Sequence, residues 1–147
     1  MTGSELIQIS AGLIGSLCFG ILFNMRGKRL AAAAFGGLIS WSMFIALNNI
    51  ISSEPINYFI VAAIVSLYSE IMARILKTPA APVVTTSLIP LIPGGSLYYT
   101  MAMALESNFT MFLEKAVSTL KLAGALALGI IVVTAISQFL FSHVRQK

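Results

Sequence analysis

The sequence predicts an all-α integral membrane protein of about five transmembrane helices, the fourth broken by proline and glycine. Three observations carry that expectation. The 147 residues are 58% hydrophobic, with a mean hydropathy of +0.94. Only 10% are charged, against about 25% in a soluble domain, so there is too little polar surface to keep the chain in water. Five apolar runs also reach the length of about 20 residues that a helix needs to cross a bilayer.

Those runs cover residues 6–23, 30–51, 56–76, 83–105 and 117–141. The links between them, "NMRGKR", "SSEP", "KTPAAP" and "ESNFTMFLEKA", leave no room for a soluble domain. Residues 1–147 therefore read as a single transmembrane domain. The start, "MTGSEL", has no basic region ahead of the first apolar run, so a cleavable signal peptide is not expected. The basic residues sit in short clusters between apolar runs, where orientation signals belong. They do not suggest a nucleic-acid partner.

In the first run Gly12, Ser16 and Gly20 recur at four-residue spacing. Ala32, Gly36 and Ser40 do so in the second run, and Ala125 and Gly129 in the fifth. Such faces let helices approach closely in lipid, and they predict a compact bundle. Cys18, the single cysteine, excludes an intrachain disulfide and reads as a small buried side chain. Trp41 lies mid-run and is expected in the core. Asn48 and Asn49 close the second run at an interface. Gln138 in the fifth run suggests an interhelical hydrogen bond.

The link "ESNFTMFLEKAVS" is amphipathic, with Phe109, Phe112, Leu113 and Ala116 on one helical face. It predicts a short interfacial helix ahead of the last span. Its "NFT" matches a glycosylation sequon, read here as a chance match. His143 is the sole histidine and aspartate is absent. A metal centre or a histidine-based triad therefore has no materials here, and neither enzymatic activity nor a cofactor is expected.

Placing "NMRGKR" in the cytoplasm puts Arg26, Lys28, Arg29, Arg74, Lys77, Arg145 and Lys147 inside, and only Lys115 and Lys121 outside. The expected topology is N-terminus out and C-terminus in. A re-entrant fourth run would give the same seven-to-two tally, so charge does not decide between the two. Length favours a crossing, because 23 residues of helix reach about 34 Å against a hydrocarbon core of roughly 30 Å.

The fourth run contains "SLIPLIPGGSLYYTM". Proline lacks an N–H and clashes with the preceding turn, and it drives the residue before it out of helical geometry. Pro90 and Pro93 should end one half-helix near Leu88. Gly94 and Gly95 permit positive φ, and Ser96 is a candidate N-cap for a second half-helix. Irregular backbone at membrane depth survives only where protein buries it or water reaches it, and transporters use such breaks for substrate sites. The new helix start suits a carboxylate. Tyr98 and Tyr99 offer hydroxyls beyond it, and Thr85, Thr86 and Ser87 offer more before it. The candidate substrate-binding set is thus Pro90, Pro93, Gly94, Gly95, Ser96, Tyr98 and Tyr99. Glu70 and Arg74, four apart on the third run, form a candidate ion pair or proton-coupling site.

The "IPLIPGGSLYYTM" motif, about ten residues after "KTPAAPV", resembles the signature of the bacterial threonine/serine exporter family. The whole chain is similar to the small five-helix subunit of its split, two-gene form. That resemblance implies a secondary transporter in the bacterial inner membrane that exports small polar metabolites. Threonine and serine are implied by fused members, and succinate by a split pair. It also implies a larger membrane partner subunit carrying a cytosolic domain, hence a hetero-oligomer in which this chain is half a transporter. The competing reading is a membrane scaffold or assembly protein, for which the break is only a kink.

Overall fold

The computed structural model describes residues 3–105 and 109–144, with side chains as far as Phe139. Its helices are α1 (Gly3–Leu22), α2 (Lys28–Asn48), α3 (Glu54–Ile75), α4 (Ala80–Leu88), α5 (Gly94–Leu105) and α6 (Phe109–Val144). A single 3₁₀ turn, Ile89–Leu91, follows α4. Four helices are individually long and apolar enough to cross a membrane, and the bent pair 80–91 and 94–105 is long and apolar enough to make a fifth if it is one span. Large apolar side chains cover the outside: Ile7, Leu22, Leu105 and Leu120 are each at least 70% exposed. That distribution suits a lipid environment.

Helix ends follow local chemistry. Pro55 stands in the first turn of α3, where its missing N–H costs nothing. α1 and α3 both close with a residue in the left-handed region: Asn24 at φ 56° and Lys77 at φ 49°. Asn24 N–H donates to the Ile21 carbonyl and Met25 N–H to that of Gly20, both at 2.9 Å. Lys77 N–H donates to Arg74 O at 3.2 Å and Thr78 N–H to Ala73 O at 2.9 Å. These paired bonds satisfy carbonyls the helix leaves open and turn the chain sharply.

Packing is built on the small residues. Gly12, Ser16 and Gly20 are buried along α1, and Ala32, Gly36 and Ser40 along α2. A Cβ at Gly37 would overlap Ser16 Oγ, and one at Gly36 would overlap Ser87 Oγ. At Gly129 it would stand 2.6 Å from the Phe59 carbonyl oxygen. Tyr68 then reaches across to donate to the Ala32 carbonyl at 2.9 Å. α4 is enclosed by α1, α2 and α3, whereas α5 packs on α6. The apolar core gathers Tyr58, Val61, Val65, Val84, Leu88, Leu91 and Leu122.

The direction of the bent pair can be read from α3 and α6. Phe59 meets Gly129 near one end, and Glu70 meets Ser137 further along. The two helices therefore run parallel. The chain between them must travel from one end of the bundle to the other. The 62° bend between its halves is less than a right angle, so α5 continues forward and does not return.

Three expectations are corrected. Cys18 is exposed, not buried, because it points away from the Gly12–Ser16–Gly20 face that packs inward. No separate interfacial helix precedes the last span. Residues 109–116 are the first turns of one 36-residue α6, about 54 Å long, with Phe109 and Leu113 exposed. The interhelical polar contact of this region comes from Ser137, not Gln138. Asn48 is more than an end marker: the buried Asn57 amide donates to its side chain at 3.5 Å and to the Ile51 carbonyl at 3.2 Å, tying the α2–α3 turn. Asn108 of the sequon lies outside the described residues.

Candidate functional site

The two prolines act differently. Pro90 lies within the 3₁₀ turn, and Pro93 supplies the carbonyl that starts α5, accepting from Leu97 N–H at 3.0 Å. This corrects the cap: Ser96 is already the third residue of α5 and so is not its N-cap. Gly94 and Gly95 do not take positive φ either, since Gly27 is the one glycine with such a value among the described residues. Their contribution is open space. A Cβ built at either would meet no atom within 4 Å.

The amides at this start are largely free. Gly94 N–H donates to the Ile92 carbonyl at 2.7 Å. The N–H groups of Gly95 and Ser96 have no acceptor among the described residues, as expected for the first turn of a helix whose preceding chain is not helical. Two donors without acceptors beside two glycines form a surface suited to an anionic oxygen.

Cavities flank the break on both sides. On one side Pro90 and Ile89 face a pocket of about 240 Å³, with Gln8, Gly12 and Trp41 opposite. Trp41 is expected in the core, yet its indole N–H reaches Gln8 Oε1 at 3.3 Å, so the pocket carries a polar pair. On the other side a groove of about 490 Å³ runs between α3, α4 and α6. Ile92 closes its break end, and Glu70, Pro79 and Ala80 line its other end. Thr85, Thr134 and Gln138 give it hydrogen-bonding groups between apolar walls.

Glu70 is held from two helices. Its Oε2 accepts from Ser137 Oγ at 2.9 Å and lies 3.1 Å from Arg74 Nη2. Arg74 also donates to Ser137 Oγ at 2.6 Å and to the Glu70 carbonyl at 2.9 Å. The Glu70 side chain is 12% exposed and that of Arg74 36%, so the carboxylate is sheltered and the guanidinium reaches outward.

The sequence-predicted residues are thus partly brought together. Glu70 and the break share one groove, at opposite ends. Thr85 lines it, but Thr86 and Ser87 are buried: Thr86 contacts Met25 Sδ at 3.7 Å, and Ser87 donates to the Ala33 carbonyl at 3.3 Å. Tyr98 and Tyr99 are 71% and 58% exposed and stack edge to face on each other at 5.6 Å. Neither lines the two cavities at the break. Ser137, Thr134 and Gln8 are not singled out by the sequence. Each is visible there only as a polar residue in an apolar run, and nothing in the spacing pairs them with Glu70 or Trp41.

A family model described as "Threonine/Serine exporter, ThrE" matches residues 8–136. The chain belongs to the threonine/serine exporter family. No curated protein and no solved structure matches it. Membership makes the chain part of a membrane transporter family, and its apolar helices make it a multi-pass membrane protein.

Proposed function

We propose that this chain is the small membrane subunit of a two-component secondary exporter in a bacterial inner membrane. Its cargo is a small carboxylate metabolite: threonine, serine or a dicarboxylate such as succinate. It works with a larger membrane subunit of the same family, and its own spans run from an outside N-terminus to a cytoplasmic C-terminus. Family membership supports the transport reading. The parallel course of α3 and α6 supports five crossings over a re-entrant loop.

One observation carries the site. At the break, the amides of Gly95 and Ser96 lack acceptors among the described residues, and no atom lies within 4 Å of a Cβ position on Gly94 or Gly95. A carboxylate placed there receives charge-assisted hydrogen bonds from backbone, with the positive end of α5 behind them. Glu70, at the far end of the same groove, is the candidate coupling group.

The test is efflux from cells loaded with threonine, serine or succinate, expressing both subunits, either alone, or neither. Export of at least one of these only when both are present supports the reading. Assembly of the pair with no export of any of them leaves the chain a scaffold.

A further inference from the structure

The groove does not stop at Glu70. A cavity of about 620 Å³ adjoins it, sharing Glu70, Pro79 and Ala80 and adding Arg74, Lys77 and Thr78. A third cavity of about 570 Å³ shares Thr78 and Pro79 with that one, and lies between the α1–α2 and α3–α4 turns. Asn24, Arg26 and Arg29 line it. Shared lining residues thus place the three spaces next to one another, from the loop end of the bundle to the helix break.

We propose that Arg26 and Arg29 capture the carboxylate of the transported metabolite at the mouth of this series. The proposal rests on the exporter reading and adds to it a binding step before the break. Both arginines are exposed, and neither has a hydrogen-bond or ion-pair partner among the described residues. An arginine without an acid partner presents a rigid fork of donors that matches a carboxylate. The local backbone places them: Asn24, in the left-handed region, ends α1 just before Arg26, Gly27, at φ +58°, needs the freedom of glycine, and Arg29 stands in the first turn of α2. Glu70 is the one carboxylate lining the series among the described residues, and Arg74 already neutralises it. The mouth is therefore net positive. A cleft of one sign concentrates counter-ions at its opening. Threonine, serine and succinate share the carboxylate, so capture here does not choose among them.

A phospholipid phosphate offers similar oxygens to the same arginines, and the experiment separates the two sources. Vesicles holding both subunits, cytoplasmic face outward, are given the exported metabolite at varied concentration. In Arg26→Gln/Arg29→Gln the KM rises on the order of tenfold or more, since removing a charge-assisted hydrogen bond near water weakens binding by about that factor, while kcat is unchanged. Arg26→Lys/Arg29→Lys recovers part of the KM, because the charge is kept and the fork is lost. The wild-type KM rises with ionic strength and that of the glutamine variant does so far less. An unchanged KM in the glutamine variant overturns the capture site while leaving the exporter reading intact. If the difference vanishes in vesicles of a phosphate-free galactolipid, the arginines hold a lipid phosphate, and the proposal fails. If the wild-type pair carries none of the three metabolites, the exporter reading itself fails.

Discussion

Ser137 of α6 donates a 2.9 Å hydrogen bond to the carboxylate of Glu70 on α3. This contact joins two parallel helices and closes a polar triangle with Arg74, whose Nη2 lies 3.1 Å from the same carboxylate oxygen and 2.6 Å from Ser137 Oγ. An ionisable residue so placed in a span is a candidate functional group as well as a structural partner. Glu70→Gln keeps the shape and the bond from Ser137 but removes the charge change. We expect gradient-driven export to fall while the protein still inserts. Ser137→Ala is the milder companion, since the Arg74 pair remains. Proton-coupled efflux in vesicles decides the matter: undiminished coupling in Glu70→Gln would leave the pair a structural clasp.

Close packing predicts a graded glycine series. A methyl group at Gly129 would stand 2.6 Å from the backbone oxygen of Phe59, and backbone cannot move aside cheaply. Gly129→Ala should cost about 1–3 kcal/mol. Gly36→Ala meets not only Ser87 Oγ, which can rotate, but Ser87 Cβ at 2.5 Å, which no rotation moves, so its cost should be comparable. Gly124 has no atom within 4 Å of its Cβ position, and Gly124→Ala should be neutral or slightly stabilising. Thermal unfolding in detergent should place Gly129→Ala and Gly36→Ala together, well below Gly124→Ala.

The parallel course of α3 and α6 predicts a labelling pattern. In a Cys18→Ala background, single cysteines at Glu54 and Phe109 should react with an impermeant maleimide from one side of the membrane, and cysteines at Thr78 and Gly27 from the other. A re-entrant fourth segment would instead put position 109 on the side of Thr78. Labelling of 109 together with 78 would therefore overturn the five-span reading.

Much of the fold is legible in the sequence because bilayers impose few solutions. Apolar run length locates every span to within a few residues, apart from α6 and the early start of α4 at Ala80. α6 runs longer because nothing in "FTMFLEKAVS" breaks a helix. Its amphipathic face marks where α6 leaves the apolar layer rather than a separate element. The stripes at Gly12, Gly36 and Gly129 are also legible, since small-residue spacing encodes closeness directly. The site is harder to read. Proline marks where the helix breaks but not which way the freed groups face. Thus Ser87, a candidate ligand group by position, is spent on the Ala33 carbonyl, and Tyr98 and Tyr99 turn outward. The correction at Cys18 has the same origin: hydropathy gives depth in the membrane, not the side of the helix.

The break itself makes the most discriminating prediction. Pro93 leaves the Ile89 carbonyl without an α-helical N–H partner, and its ring clashes with that carbonyl if the helix continues. Pro93→Ala removes both obstacles. The helix can then close through residues 91–97, with the Gly95 and Ser96 amides turning inward to Leu91 and Ile92. Carboxylate binding should weaken by tenfold to a hundredfold, the worth of one charge-assisted hydrogen bond at about 1.5–3 kcal/mol. Gly95→Leu tests the same surface differently. It leaves the amides in place and fills the empty space beside them, so binding is blocked sterically while expression stays near wild type. Arg74→Gln is the counter-experiment, because a site built on side-chain charge would depend on that guanidinium. Its loss should mainly disturb the Glu70 clasp and so alter coupling more than KM. Transport kinetics of the three variants with the partner subunit separate the mechanisms. If Pro93→Ala and Gly95→Leu both export at wild-type rates while Arg74→Gln does not bind substrate, the carboxylate is held by arginine, and the break is no more than a bend that lets α5 reach α6.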